Sequence, residues 1–179
     1  MWRNFLVNGQ TIEESGFKIK FPKTSLVAFI NFDALKTDFS SFYKINNTPA
    51  SCDFVCLSLT QTKCEFIEVK NLGKYIDIQK GMEKLKRKLP KKFVDTLLIL
   101  VSIVDEKEKR LLFKALWDKG IVYYLMVSEE KTPYVVKAIE FLERKISECL
   151  KVCGIKVRVF FVTVGEIQEK LLSYAEEGG

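Results

Sequence analysis

Residues 52–71, CDFVCLSLTQTKCEFIEVKN, decide how this chain is read. DFVCLSL and KCEFIEVK each carry apolar residues on both faces, the pattern of strands covered on both sides of a sheet. A short polar break at Thr60-Gln61 separates them, so the pair reads as an antiparallel hairpin. Three charges stand against that burial: Asp53 at one end, and Glu68 and Lys70 at the other. With the turn centred on Thr60-Gln61, Asp53 falls opposite Glu68. Directly opposed residues point to the same side of a sheet, with Cβ atoms ~5 Å apart. Lys70, two residues beyond Glu68, shares that side. Pairing therefore predicts two carboxylates and an ammonium gathered at one end of a greasy hairpin.

The totals fit an ordinary folded domain. The chain has 179 residues, 47% hydrophobic and 29% charged, which predicts one domain with a full core over residues 1–179. No apolar run is long enough to span a bilayer. The opening MWRNFLVNGQ has no signal-peptide layout, so the expectation is a cytoplasmic protein with no membrane partner. A formal charge of +6 is a mild basic bias, compatible with a polyanion. Histidine is absent. That excludes Ser-His-Asp triads, Cys-His dyads and histidine-ligated metals. Chemistry is left to carboxylates, lysines, cysteines or a metal held by oxygen. The five cysteines, Cys52, Cys56, Cys64, Cys149 and Cys153, match no usual zinc or iron–sulfur spacing and read as small buried hydrophobes.

Outward from the hairpin, FKIKF (17–21) alternates like a short strand. Residues 25–45 read as a strand followed by a short helix, and NNTPAS (46–51) as a loop. After the hairpin, YIDIQKGMEKLKRKL reads as a helix capped by Asp77 and closed by Pro90. DTLLILVSIV (95–104) reads as a buried strand. EKEKRLLFKALWDKG is a helix stopped at Gly120, and IVYYLMVS a strand. The stretch from Thr132-Pro133 to Gly154 is a helix with a proline at its first turn. IKVRVFFVTV is a strand and GEIQEKLLSYAEE a last helix. The alternation predicts an α/β domain: a mixed sheet, an antiparallel hairpin followed by parallel strands, flanked by helices in three layers.

Two adjacent carboxylates repel unless a cation sits between them. Lys70 is one candidate cation. A divalent metal is the other, because carboxylate oxygens are what hard ions such as Mg²⁺ or Mn²⁺ take. The layout resembles the PD-(D/E)xK nuclease superfamily, which includes restriction endonucleases and archaeal Holliday-junction resolvases. The matching residues are Asp53 on the first hairpin strand, Glu68-Val69-Lys70 on the second, and Gln79 in the helix that follows. The resemblance covers about residues 50–90. The usual proline directly before the aspartate is missing here: Ser51-Cys52 precede Asp53, and Pro49 lies further back. The acid some members supply from upstream falls among Glu13, Glu14 and Asp33, with Glu14 preferred. E-x-K occurs three times, at 68–70, 129–131 and 143–145. Only the first lies on a strand with an aspartate opposite.

The resemblance implies a restriction-endonuclease-like fold and a Mg²⁺-dependent deoxyribonuclease. Asp53, Glu68, the Val69 carbonyl and Glu14 would hold the metal. Lys70 would position or deprotonate the attacking water, and Gln79 would help orient it. DNA is the expected partner, and a symmetric homodimer would suit an enzyme that cuts both strands. KGMEKLKRKLPKK (80–92) directly follows the site. Lys80, Lys84, Arg87, Lys88 and Lys91 are candidates for holding a phosphate backbone. Two plainer readings stand beside this one. The hairpin charges can form an ion pair at a solvated strand end, and the basic run can be a solvated helix face. The alternative function is a catalytically inactive nuclease-fold module that binds nucleic acid or a protein. No P-loop or G-x-G-x-x-G occurs, which argues against a nucleotide-cofactor enzyme.

Overall fold

A computed structural model of the chain describes residues 2–42, 49–58, 63–70, 78–127, 140–141, 143–148 and 154–176. The elements are β1 Thr11–Glu14, β2 Phe17–Lys20, β3 Ala28–Asn31, α1 Phe32–Phe42, β4 Phe54–Ser58, β5 Lys63–Lys70, α2 Ile78–Ile103, α3 Glu106–Asp118, β6 Ile121–Val127, β7 Val157–Val162 and α4 Val164–Glu176. A 3-10 turn, Trp2–Phe5, precedes them. Residues 140–141 and 143–148 are also helical.

Five strands form a mixed sheet in the order β3-β4-β5-β6-β7. β3, β4 and β5 run antiparallel, and β6 and β7 continue parallel to β5. β1 and β2 form a separate antiparallel pair. The expected hairpin register holds: Phe54 opposes Ile67 and Val55 opposes Phe66. Strand residues alternate between two cores, as a period of two requires. Val55, Leu57, Phe66, Tyr123 and Leu125 pack with residues of α1, α2 and α3. Phe54, Cys56, Ile67 and Val69 pack on the other side with residues of β2 and α4. β4 is buried on both faces, which is why its sequence shows no apolar-polar alternation.

One element differs from its sequence reading. DTLLILVSIV is not a strand, and Pro90 does not end the helix before it. Both belong to α2, which runs unbroken through Pro90 to Ile103. A short apolar run looks the same in a buried strand and a buried helix. Phase decides between them. Leu89, Phe93, Thr96 and Leu100 are all buried, at helical three- and four-residue spacing. Leu98 is 62% exposed, which a central strand would not allow. Pro90 removes one backbone donor from the helix, and burial of this stripe outweighs that loss. The crossover from β5 to β6 is therefore made by two helices, α2 and α3, with no strand between them.

The remaining boundaries follow their local signals. Asp105 caps α3 by accepting from the Glu108 N–H at 2.8 Å, and Glu108 Oε2 accepts from the Asp105 N–H at 3.0 Å. This is a reciprocal capping box. Gly120, at φ +76, ends the turn after α3. A Cβ there would lie 2.3 Å from the Lys156 carbonyl oxygen, the oxygen that accepts from the Ile121 N–H. Only glycine fits so close an approach. Cys52, Cys56 and Cys64 are buried free thiols, as expected of small hydrophobes. Asp77, Cys149, Cys153 and the 129–131 motif lie outside the described residues.

Candidate active site

The β4–β5 hairpin carries its charges to one end, where its strands leave the sheet's centre. Asp53 sits just before β4, and its N–H donates to the Ile67 carbonyl at 3.0 Å. The ladder so extended sets Asp53 opposite Glu68, on the side of the sheet that faces α2. Both carboxylates are buried, at 3% and 0% exposure. The Val69 N–H donates to Asp53 Oδ2 at 2.6 Å, which fixes the aspartate's orientation.

Two ammoniums meet these acids. Lys70 Nζ lies 2.6 Å from Glu68 Oε1 and 3.8 Å from Asp53 Oδ2, and it also donates to the Val69 carbonyl at 2.9 Å. Lys92 Nζ lies 2.7 Å from the same Glu68 Oε1 and 3.9 Å from Asp53 Oδ1. Lys92 comes from α2, and the sequence reading did not assign it to the site. Once the helix is known to continue past Pro90, Lys92 falls between the buried Leu89, Phe93 and Thr96 on the inward face. One turn on, Thr96 Oγ donates to the Lys92 carbonyl at 2.7 Å and accepts from the Cys52 N–H at 2.8 Å. That bond ties the lysine's helix to the residue before Asp53.

Electrostatics follow from depth. Burial, and then the neighbouring Glu68 charge, push the Asp53 carboxyl up to about 7. Lys70 and Lys92 oppose this, but both stay nearly 4 Å away while Glu68 takes their close approach. Burial alone would lower Lys70. The charges of Glu68 and then Asp53 outweigh it, and Lys70 is held above its ordinary range as a firm ammonium. Glu68 Oε2 has no hydrogen-bond donor among the described residues, and neither has the buried Tyr123 hydroxyl a partner. Burial, followed by Glu68, raises the Tyr123 phenol.

The β1–β2 turn reaches the same place. Ser15, at φ +54, and Gly16, at φ +87, make the tight turn. Ser15 Oγ lies within donating distance of two acceptors, the Val69 carbonyl at 3.3 Å and Glu14 Oε1 at 3.2 Å, which share its one proton. Burial, and then the Asp53 charge, raise the Glu14 carboxyl, with Asp33 adding and Lys70 opposing. Glu14 is thus electrically coupled to the pair. Of the other upstream acids, Glu13 sits opposite Lys18 in the β1–β2 ladder, and Asp33 is paired with Lys36 and accepts from Ser51 Oγ at 3.3 Å.

Among the basic-run residues, Lys84, Arg87, Lys88 and Lys91 are exposed on α2, at spacings that put them on one helix face. Lys91 pairs with Asp95 one turn on. Gln79 and Lys80 lie in the first turn of α2, and their side chains lie outside the described residues.

Is the donor set suited to a divalent cation? Asp53, Glu68, the Val69 carbonyl and nearby Glu14 are all oxygen donors, the kind Mg²⁺ and Mn²⁺ prefer. The orphaned, buried Glu68 Oε2 is the atom such an ion would satisfy. Among the described residues, however, no group of three or more His, Cys, Asp or Glu side chains is close enough to hold a metal. The fit is to an ion held by two carboxylates and completed by waters. No family model matches the chain, and no curated protein or solved structure is detectably similar to it. No helix among the described residues is long and apolar enough to cross a membrane.

Proposed function

We propose that the protein is a metal-dependent nuclease with a restriction-endonuclease-like fold that hydrolyses phosphodiester bonds in DNA. The observation that carries this reading is the buried Asp53–Glu68 pair, with Lys70 against both and one Glu68 oxygen lacking a donor among the described residues. The mixed sheet, in which an antiparallel hairpin leads into parallel strands, is the architecture that this reading expects.

Asp53 and Glu68 would hold the Mg²⁺ or Mn²⁺, with the Val69 carbonyl and Glu14 beside them. When bound, such an ion supplies a water ionised near neutral pH and a Lewis acid on the scissile phosphate. Each residue of the chain has its own task. The Val69 N–H fixes the Asp53 carboxylate. Lys70, kept charged by its acids, offsets negative charge on the phosphate and orients the attacking water. An ammonium in this state is a poor general base, so electrostatic support is the role that its environment favours. Lys92 brings a second positive charge to Glu68 from the opposite layer. Lys84, Arg87, Lys88 and Lys91 offer exposed charge to the flanking backbone.

The test is cleavage of plasmid, single-stranded and branched DNA with Mg²⁺ or Mn²⁺. Wild type should cut at least one of them. Asp53→Asn and Glu68→Gln should not, while keeping a native circular-dichroism spectrum. Absence of cutting by wild type on all substrates sinks the reading.

A second reading has its own observation. Lys70 and Lys92 already set two positive charges against two negative ones. A site balanced in this way suits a nuclease-fold module that binds nucleic acid or a protein without cutting. It predicts metal-independent, salt-sensitive binding that Glu68→Gln leaves unchanged.

A further inference from the structure

At the other end of the sheet, β5, β6 and β7 begin side by side. The register aligns Glu65, Val122 and Arg158 in one row, and Ile67, Tyr124 and Phe160 in the next. Both rows lie on the side of the sheet that carries α4. Phe160 is 44% exposed. Its ring stacks on Tyr124 with centres 5.9 Å apart and planes at 27°. The Arg158 guanidinium sits 6.0 Å from the Phe160 ring centre.

Two cavities meet at Arg158. One, of about 240 Å³, is lined by Lys63, Lys119 and Arg158 around Glu65. The other, of about 570 Å³, continues past Arg158 to Lys156 and Arg144, with Glu148 on its wall. Each acid already has a donor. Glu65 accepts from the Tyr174 hydroxyl, and Glu148 pairs with Lys145 at 3.0 Å. Five cations line the groove, Lys63 among them over the Tyr174 ring, and both of its carboxylates accept from groups outside it. Cationic walls with an exposed aromatic face beside them match an unpaired nucleic-acid strand, whose phosphates want the charge and whose bases want the ring.

We propose that this groove binds single-stranded nucleic acid, with phosphates against Arg158, Lys119 and Lys156 and a base on Phe160. It is a separate site from the acid pair. Arg158 and Phe160 lie on the opposite face of the sheet from Asp53 and Glu68, and Glu65 lies three residues before Glu68, ~10 Å along β5. Binding here needs neither a metal nor the Asp53–Glu68 chemistry, so it can stand where cleavage fails.

The experiment is fluorescence-anisotropy titration of a labelled oligothymidylate of about 15 nucleotides, in EDTA, with a blunt duplex of equal length and heparin as comparisons. Wild type should prefer the single strand to the duplex. Arg158→Glu should weaken single-strand binding ~10-fold or more at moderate salt. Phe160→Ala should weaken it ~5-fold or more and leave heparin binding unchanged, because a base-free polyanion has nothing to stack. The proposal is overturned if Arg158→Glu and Phe160→Ala both bind like wild type, or if only Lys84→Glu with Lys88→Glu removes binding, which would assign the strand to α2.

Discussion

β5 carries two buried glutamates with opposite fates. Glu65, near its start, faces α4 and accepts from one neutral donor, the Tyr174 hydroxyl. Glu68, near its end, faces α2 and receives two ammoniums on one oxygen, while its other oxygen has no donor among the described residues. The strand's alternation alone puts them on opposite faces. A buried acid that serves only the fold needs one good partner. Glu68 has two ammoniums on one oxygen and, among the described residues, no donor on the other. Asp53 beside it deepens the contrast, since Glu65 has no second carboxylate opposite: Cys56 stands there.

The comparison can be broken most sharply by activity. On the nuclease reading, Glu68→Gln should lower cleavage by ~10²–10³-fold or more, as loss of electrostatic groups at a reacting phosphate does. Glu65→Gln should stay within about twofold of wild type. Equal losses from both would erase the distinction, and a plasmid-nicking time course decides it.

Next in size is a pH effect confined to the acid pair. The folded protein holds the Asp53 proton to about 7, against 3.8 for an ordinary aspartate. A raised folded-state pKa gives stability that is fully present below about pH 4 and is lost as pH rises towards 7. Without divalent metal, the stability of wild type relative to Asp53→Asn should therefore fall across that window, by up to ~4 kcal/mol. Urea unfolding of both proteins between pH 4 and 8 measures it. Flat difference curves would mean that Lys70 and Lys92 keep Asp53 ionised throughout.

Tyr174→Phe sharpens the other side of the comparison. It removes the hydroxyl that donates to Glu65 Oε2 and should cost about 1–3 kcal/mol in urea unfolding. Any nuclease activity should be untouched. The smallest effect belongs to α2: Leu98→Ser, on its exposed side, should change stability by less than about 0.5 kcal/mol. Were 95–104 a buried strand, the same change would cost several times that.

The hairpin and its charge cluster were legible because strand pairing is arithmetic once a centre is assumed, and the observed pairing of Phe54 with Ile67 matches the assumed one. The helix–strand step at Gly120 was legible from that glycine, whose positive φ the structure displays; the Asp105 cap that starts α3 was not named from sequence. The strand reading of 95–104 failed because Pro90 looked like a stop, and an unbroken apolar run carries no phase. That error also hid Lys92, which counts as a loop lysine if the helix ends at Pro90 and as an inward one if it continues. The spacing of Leu89, Phe93, Thr96 and Leu100 was the available signal. Glu14 was named from sequence only as the preferred of three acids. What brings it to Asp53 is the Ser15-Gly16 turn, and the contact of that turn with Val69 is tertiary. No local pattern records it.

The most direct test of the central claim is a crystal of the protein grown with Mn²⁺, measured for anomalous scattering. The account predicts a peak between the Asp53 and Glu68 carboxylates, with Glu68 Oε2 among its ligands. Full data with no peak there, and with Lys70 and Lys92 still both seated on Glu68, would contradict it.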